Sequence, residues 1–181
     1  MTNDIRLDKL VCLTGFMGSG KSTTARLLAG QLGWSNTDLD KRISEAAGLP
    51  ISEIFARRGE AEFRRLESMQ LARIVAEFSE SRRSRIVSLG GGTIVQPQNR
   101  MLLREHGAIL IWLHCPVEEL IRRCVQITDR PLFRDEPSFR RLYEERLPTY
   151  ELADHRVESH TEPMRVVEQI LALGIFSKVT A

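Results

Sequence analysis

The sequence predicts an α/β fold built on a parallel sheet. Short apolar runs alternate along the chain with longer stretches of helical periodicity, which is typical of such sheets. The first apolar run ends at a glycine-rich segment that leads directly into a helical pattern. The 181 residues, 42% of them hydrophobic, contain no repeat, low-complexity tract or Pro/Ser-rich linker. We therefore expect one domain over residues 1–181.

The first half of the chain contains two predicted strands and four predicted helices. Lys9–Thr14 is an apolar run typical of a buried strand, and Ser35–Asp38 is a second, shorter strand. Between them, Ala25, Leu28, Ala29 and Leu32 recur at i, i+3, i+4 and i+7, which predicts a helix that ends before Gly33. Further helical patterns follow at Lys41–Ala47, at Ser52–Arg58 with Ser52 as the N-cap, and at Glu60–Glu77.

The second half continues the alternation. Arg85–Leu89 is predicted as a third strand that stops at three glycines, and Ala108–Leu113 as a fourth. Residues 125–137 contain two prolines and no steady period, which indicates a mobile loop. The remaining predicted elements are helices around Gln98–Glu105, Pro116–Arg123, Ser138–Tyr150 and Glu162–Leu173, and a short strand near Arg156–Glu158.

Composition excludes several classes of protein. The longest apolar run has six residues, far short of the roughly 18–20 that a membrane helix needs. A net charge of +2 is too small to indicate nucleic-acid binding. Asp4 and Asp8 fit neither a secretory signal nor a transit peptide, so we expect a cytoplasmic protein without a membrane partner. Among the three scattered cysteines, Cys12 and Cys115 are predicted to be small buried hydrophobic residues.

The clearest motif is Gly15–Ser22, which fits G-x-x-x-x-G-K-[ST] at every fixed position. Its glycines allow successive backbone N–H groups to face phosphate oxygens, and the following helix adds its positive N-terminal end. Lys21 is expected to bridge the β- and γ-phosphates of ATP, and the Ser22 hydroxyl to bind Mg²⁺. The predicted nucleotide-binding residues of this segment are Gly18, Ser19, Gly20, Lys21, Ser22 and Thr23.

The motif alone does not identify a kinase, because many P-loop proteins hold the metal with an Asp at the end of a later apolar strand. Neither the third nor the fourth predicted strand ends in Asp. Asp38 and Asp40 are the nearest candidates, at the carboxyl end of the second strand, where α/β sheets place ligand chemistry. Alternation along an extended segment is expected to send both carboxylates to one side, so that one faces the metal and the other a substrate hydroxyl. One of them could instead only cap the next helix.

Two further features are ambiguous by themselves. Gly90, Gly91 and Gly92 leave backbone N–H groups open to a small ligand, but a tight turn also explains them. Arg64 and Glu67 lie three residues apart on one helical face, where a surface ion pair is the alternative to a ligand-binding role.

Taken together, these features closely resemble the shikimate kinase family. The matching segments follow the family's order from about residue 10 to 173: Gly15–Ser22, Thr37–Asp40, Ile54-Phe55 with Gly59-Glu60, Phe63–Glu67, Ser88–Gly92, Arg130-Pro131-Leu132, and Glu145-Arg146 with Pro148 and Tyr150. The resemblance implies a three-layer P-loop NTPase fold, in which a five-stranded parallel sheet of order 2-3-1-4-5 carries helices on both faces. It also implies substrate-binding helices over about 41–77 and a mobile lid over about 125–137.

The resemblance implies phosphoryl transfer from ATP to the 3-hydroxyl of shikimate, with Mg²⁺ as cofactor. The small molecules would be its only partners, and we expect a monomer.

The resemblance also implies a role for each site residue. Asp38 would hold Mg²⁺ through water, while Asp40 would bind the shikimate hydroxyls and act in catalysis with Lys21 and Arg130. The shikimate pocket would also contain Arg64 and Arg146 as carboxylate ligands, the Gly90, Gly91 and Gly92 backbone beneath the ring, and Phe55 and Phe63 as walls. Lid residue Arg130 would reach the transferring phosphoryl group, and Arg123 and Pro163 would sandwich adenine. For these last two, a helix-end charge and an early-helix proline are the alternatives.

The sequence departs from the family's usual pattern at two positions. Asp129 precedes Arg130 where many relatives are more basic, and Thr149 replaces an apolar residue. Three other functions fit these residues less well. A gluconate or nucleoside monophosphate kinase has no reason to combine Asp40, Arg64 and Arg146. A non-catalytic nucleotide-binding module could lose Arg130 or Asp40, and a nucleic-acid motor would need a strand-end Asp and a basic track.

Overall fold

One parallel sheet of five strands organises the protein. The computed structural model describes residues 8–125 and 135–176. The strands are β1 (Leu10–Thr14), β2 (Ser35–Asp38), β3 (Arg85–Ser88), β4 (Ile109–His114) and β5 (His155–Glu158). Their order in the sheet is β2-β3-β1-β4-β5, and every neighbouring pair is parallel. This confirms the predicted order.

Seven α-helices of the described residues connect and follow the strands. They are α1 (Lys21–Leu32), α2 (Leu39–Ala47), α3 (Ile51–Ser81), α4 (Pro97–Glu105), α5 (Val117–Val125), α6 (Glu136–Tyr150) and α7 (Pro163–Leu171), and a 3₁₀ turn covers Thr93–Val95. Helix α1 ends before Gly33, as its periodicity predicts, and Gly33 takes the left-handed conformation that commonly ends helices.

Alternate residues of β1 divide the core into two clusters, one on each face of the sheet. Leu10 and Cys12 belong to a cluster with apolar residues of α2, α3, α4, α5 and α6. Val11 and Leu13 belong to the other cluster, with α1 and α7. Successive side chains of a strand point to opposite faces, so a continuously apolar strand serves both clusters. The result is the expected three-layer arrangement.

The register of the strands brings the functional segments together at one edge. Ser88 lies beside both Leu13 of β1 and Asp38 of β2, and Thr14 lies beside Trp112 of β4. The Gly15–Ser22 loop therefore starts next to the ends of β2 and β3. Parallel α/β sheets place their ligands at this carboxyl edge.

Two local predictions are wrong. Asp40 lies in the first turn of α2, because that helix begins at Leu39, so strand alternation does not orient Asp38 and Asp40 as a pair. Ser52 is not an N-cap, because α3 begins at Ile51 with Pro50 in the cap position. The two helices predicted around Gly59 are confirmed, since Gly59 breaks the helical path of α3 with φ 78° and ψ 172°.

The predicted lid over 125–137 falls mostly outside the described residues. Its last part is helical, because α6 starts at Glu136, and the Asp135 side chain caps it by accepting a hydrogen bond from the Ser138 N–H at 2.8 Å. All three cysteines are buried, as predicted for Cys12 and Cys115. None of the helices in the described part of the chain has the length and apolarity needed to cross a membrane.

Candidate active site

The phosphate-binding motif forms a tight loop between β1 and α1. Gly20, the residue before α1, has φ 87°, a left-handed conformation that glycine adopts without a Cβ clash. The Thr24 N–H donates to the Gly20 carbonyl at 2.9 Å, which closes the first turn of the helix. Lys21 Nζ donates to the Gly15 and Phe16 carbonyls, each at 2.9 Å. The lysine ammonium is thus held against the loop, where it can meet phosphate oxygens.

Asp38 connects this loop to the end of β3. Its Oδ2 accepts hydrogen bonds from Ser22 Oγ at 2.6 Å and from Ser88 Oγ at 2.8 Å. Its Oδ1 accepts from the Lys41 N–H at 3.1 Å and so caps α2. The capping role left open for the two aspartates therefore applies to Asp38, in addition to its contact with Ser22.

The Ser22–Asp38 pair has the oxygen chemistry that Mg²⁺ prefers. A hydroxyl and a carboxylate, 2.6 Å apart and half-buried or exposed at the phosphate loop, fit a metal that also takes ligands from nucleotide phosphates and water. Within residues 8–125 and 135–176 no group of three or more His, Cys, Asp or Glu side chains forms a metal site by itself. A metal at this position would therefore depend on the nucleotide for most of its ligands.

A second polar group surrounds Arg64 of α3. Glu67 is fully buried, and its Oε2 accepts a hydrogen bond from Arg64 Nη1 at 2.8 Å. The other Glu67 oxygen accepts from Thr93 Oγ1 at 2.7 Å, and the Thr93 carbonyl accepts from Asn99 Nδ2 at 2.9 Å. Because Glu67 is buried, the pair is not the surface ion pair that was the alternative. The buried Glu67 carboxylate instead holds the Arg64 guanidinium in place.

Two carboxylates and one aromatic ring surround the Arg64 guanidinium. Burial opposes its charge, but Glu67 and the more exposed Glu60 outweigh that cost and raise the pKa of the guanidinium. The Arg64 Cζ lies 5.1 Å from the centre of the Phe63 ring, a cation–π distance. The Phe55 and Phe63 rings are 4.6 Å apart, so these three predicted pocket residues are adjacent in the structure.

The three glycines after β3 are the point where the predicted ligands converge. A Cβ on Gly92 would lie 2.6 Å from Arg64 Nη2, and a Cβ on Gly90 would lie 3.0 Å from an Asp40 carboxylate oxygen. A Cβ on Gly91 would lie 3.3 Å from an Arg146 Nη1 atom. Such close approach requires residues without side chains, so close packing by charged groups, and not a turn alone, explains the glycine run.

Arg146 of α6 is buried, and its guanidinium lies between the Phe16 ring and the glycine segment after β3. It is only 7% exposed, and its Cζ lies 5.5 Å from the centre of the Phe16 ring. Tyr150, one turn further along α6, donates its hydroxyl to the Gly91 carbonyl at 2.5 Å, and burial raises the pKa of Tyr150 to about 12. The tyrosine therefore stays a neutral donor and holds the glycine segment next to Arg146.

A cavity of about 380 Å³ opens beside the phosphate loop. Its walls include Gly20 and Thr23, Arg123 of α5, and residues 159–163 between β5 and α7, so Arg123 and Pro163 line the same space. Pro163 is also the first residue of α7, so its early-helix role and its place in the cavity wall are compatible. The cavity is large enough for a purine base and ribose.

The structure brings the predicted site residues into two adjoining groups. The first group forms the phosphate loop and its cavity: Gly18, Ser19, Gly20, Lys21, Ser22, Thr23, Asp38, Arg123 and Pro163. The second group surrounds the three glycines after β3: Asp40, Phe55, Phe63, Arg64, Gly90, Gly91, Gly92 and Arg146. Arg130 lies outside the described residues, so its predicted role has no structural description.

Sequence reasoning assigned no positioning role to several residues that hold these groups in place. They are Ser88, Thr93, Glu119, Tyr150 and, as a buried ligand of Arg64, Glu67. Glu67 was visible in the sequence through its spacing from Arg64 and as the end of the Phe63–Glu67 segment. Neither signal shows that Glu67 is buried, because the depth at which a helix packs is not visible in a three-residue spacing.

Comparison with known proteins agrees with this geometry. The family model described as "Shikimate kinase" matches residues 17–173. A shikimate kinase of Geobacter metallireducens is 49% identical over 133 residues, which cover 73% of this chain and 70% of that protein.

Solved structures show the same fold. The structure of shikimate kinase from Acinetobacter baumannii in complex with shikimate has a TM-score of 0.85 and 32% identity, with 96% of each chain covered. A gluconokinase from Sinorhizobium meliloti, at 21% identity and a TM-score of 0.60 over 92% of this chain and 91% of the other, shares the fold alone. The phosphate loop, the converging charged groups and the match over residues 17–173 lead to one conclusion: the chain belongs to the shikimate kinase family of ATP-dependent phosphotransferases.

Proposed function

We propose that the chain transfers the γ-phosphoryl group of ATP to the 3-hydroxyl of shikimate, giving shikimate 3-phosphate and ADP on the pathway to chorismate and the aromatic amino acids. The main support is the convergence of Asp40, Arg64 and Arg146 on Gly90–Gly92, directly beside the phosphate loop. Two guanidinium groups and one carboxylate match a ligand that carries one carboxylate and several hydroxyls.

On the acceptor side, we assign the substrate carboxylate to Arg64 and Arg146. A planar guanidinium can bind a carboxylate through two parallel hydrogen bonds, which a lysine cannot do. Glu67 keeps Arg64 oriented before the substrate arrives, since its carboxylate is buried and also accepts from Thr93. Phe55 and Phe63 would form the apolar wall against the ring, with the Gly90–Gly92 backbone beneath it.

Asp40 is the proposed general base and hydroxyl ligand. It is exposed and lies in the first turn of α2, and a Cβ on Gly90 would lie 3.0 Å from its Oδ1. From there it can accept hydrogen bonds from ring hydroxyls and take a proton from the attacking one.

On the donor side, the phosphate loop and Lys21 would hold the β- and γ-phosphates, while Arg123 and Pro163 enclose adenine. We propose Ser22 as a direct ligand of Mg²⁺ and Asp38 as an outer ligand through water. Bound with the nucleotide, Mg²⁺ would neutralise part of the phosphate charge. Arg130, from the predicted lid, would neutralise charge on the transferring group, and lid closure would exclude water.

We also propose that the protein is a monomer of one domain, located in the cytoplasm, without nucleic-acid or membrane partners.

Identification of the product tests the proposed reaction. The purified protein would be incubated with ATP, Mg²⁺ and shikimate, and the product examined by phosphorus–proton correlation NMR. We expect a phosphate ester coupled to the proton on ring carbon 3. An ester at another ring hydroxyl would contradict the proposed placement of the substrate.

Replacement of Arg64 by lysine tests the carboxylate site. We expect the KM for shikimate to rise by about 10–100-fold, because hydrogen bonds to charged groups contribute about 1.5–3 kcal/mol and the two-point contact is lost. ATP binding measured without shikimate should hardly change. Arg65→Lys is the matched control, since Arg65 is exposed and pairs with Glu62. A parallel fall in ATP affinity in Arg64→Lys would make Arg64 a structural residue.

A further inference from the structure

The Glu119 carboxylate of α5 lies between two arginines. Its Oε1 accepts hydrogen bonds from Arg123 Nε at 2.7 Å and from Arg122 Nη2 at 2.8 Å. Its Oε2 accepts from Arg122 Nε at 2.8 Å. Glu119 and both arginines line the cavity beside the phosphate loop. The hydrogen bonds from Arg122 and Arg123 lower the pKa of Glu119 to about 2, so the carboxylate is ionised at neutral pH.

The other end of the Arg123 guanidinium is fixed as well. Arg123 Nη1 donates to the Gly18 carbonyl of the phosphate loop at 3.2 Å and to the Ser159 carbonyl at 3.1 Å. All the N–H groups of a guanidinium lie in its plane, so contacts at Nε and Nη1 fix the orientation of that plane. The faces of the guanidinium do not take part in these bonds, and a guanidinium face stacks well on an aromatic ring.

We propose that Glu119 is a positioning residue for nucleotide binding: its carboxylate holds the Arg123 guanidinium in the plane that a purine base stacks on. This rests on the proposed function, in which the cavity beside the phosphate loop receives the base of ATP. Both carboxylate oxygens of Glu119 already accept hydrogen bonds from arginines, so we assign it an effect that acts through Arg123. An arginine that is ordered beforehand loses less conformational freedom on binding, which increases affinity.

Substitution of Glu119 by glutamine tests the proposal, with ADP binding measured by calorimetry in the absence of shikimate. Glutamine keeps the shape but loses the charge that binds both arginines. We expect the Kd for ADP to rise by about threefold to tenfold, the range given by ordering one long side chain. The KM for ATP should rise in parallel with the Kd for ADP, because ATP would place the same base in this cavity. Glu118→Gln is the matched control, because Glu118 lies on the same helix and pairs with Arg140.

Inorganic triphosphate separates positioning of the base from damage to the phosphate loop. It carries no base, so Glu119→Gln should leave its affinity unchanged. Arg123→Ala should weaken ADP binding, and adding Glu119→Gln to that variant should weaken it no further. The proposal is overturned if Glu119→Gln binds ADP like the unmodified protein, or if it loses affinity for triphosphate and ADP equally.

The same experiments separate this proposal from the proposed function. If Arg123→Ala weakens ADP binding and Glu119→Gln does not, only the role of Glu119 is overturned. If Arg123→Ala leaves ADP binding unchanged, the base does not stack on Arg123, and the positioning role is overturned with that placement. Shikimate-dependent ADP release by the unmodified protein tests the reaction independently of both.

Discussion

Replacing Asp40 by asparagine should abolish turnover while ATP still binds. A neutral amide cannot take a proton from the attacking hydroxyl, and general bases contribute about 10²–10⁴-fold to rates. The Gly15–Ser22 loop stays intact in this variant, so the Kd for ATP should be close to that of the unmodified protein. Steady-state ADP release and calorimetric ATP binding measure the two effects separately. The Mg²⁺ concentration needed for half-maximal rate should be near normal in any residual activity.

Asp38→Asn is the matched variant, because the two aspartates lie two residues apart and have different proposed roles. Asp38 is the outer ligand of Mg²⁺, and Asp40 is the general base. Asparagine caps helices about as well as aspartate, so α2 should keep its N-cap. Loss of the charge beside Ser22 should raise the Mg²⁺ concentration needed for half-maximal rate. If both substitutions shift the Mg²⁺ requirement equally, Asp38 and Asp40 form a joint metal site and the proposed base is wrong.

Arg130→Ala should lower kcat far more than it weakens shikimate binding. An arginine that meets the transferring phosphoryl group acts on charge that develops during transfer, and such residues contribute about 10³–10⁵-fold in related reactions. We expect a loss of roughly 10²–10³-fold in kcat. The KM for shikimate should change by less than about threefold, since the loss affects the transition state more than the ground state.

Arg134→Ala is the control for this prediction, because Arg134 lies in the same predicted lid but outside the Arg130-Pro131-Leu132 segment. Its kcat should stay within about twofold of the unmodified protein, since it has no assigned contact with the reacting group. An unchanged kcat in Arg130→Ala would move the proposed role to Arg134 or to another lid residue.

The elements that the sequence predicts well are those whose periodicity is long or whose ends are marked. The strands before Gly15 and before Gly90 are confirmed, because apolar runs that end in glycine leave few alternatives. Asp40 was placed wrongly because a strand end and a helix start are hard to separate within two residues. The motifs indicate which charged residues lie near the site. They do not indicate that Asp40 is held in the first turn of a helix.

Burial explains most of what sequence reasoning missed. The segment around Arg64 and Glu67 looks like an ordinary charged helix face, and only packing against Thr93 makes Glu67 a buried ligand. Likewise, Glu119 looks like one member of a charged cluster until the fold places it at the cavity beside Gly18. Contacts between residues far apart in the chain depend on the packing of whole elements, which no local spacing reveals.

The rate of ADP release with different acceptors tests whether shikimate is the substrate. The purified protein would receive ATP, Mg²⁺ and either shikimate, gluconate or a nucleoside monophosphate at matched concentrations. We expect strong stimulation by shikimate and little by the other acceptors, because Asp40, Arg64 and Arg146 together match a hydroxylated ring acid. Equal stimulation by gluconate would contradict it and would leave only a small-molecule kinase of this fold.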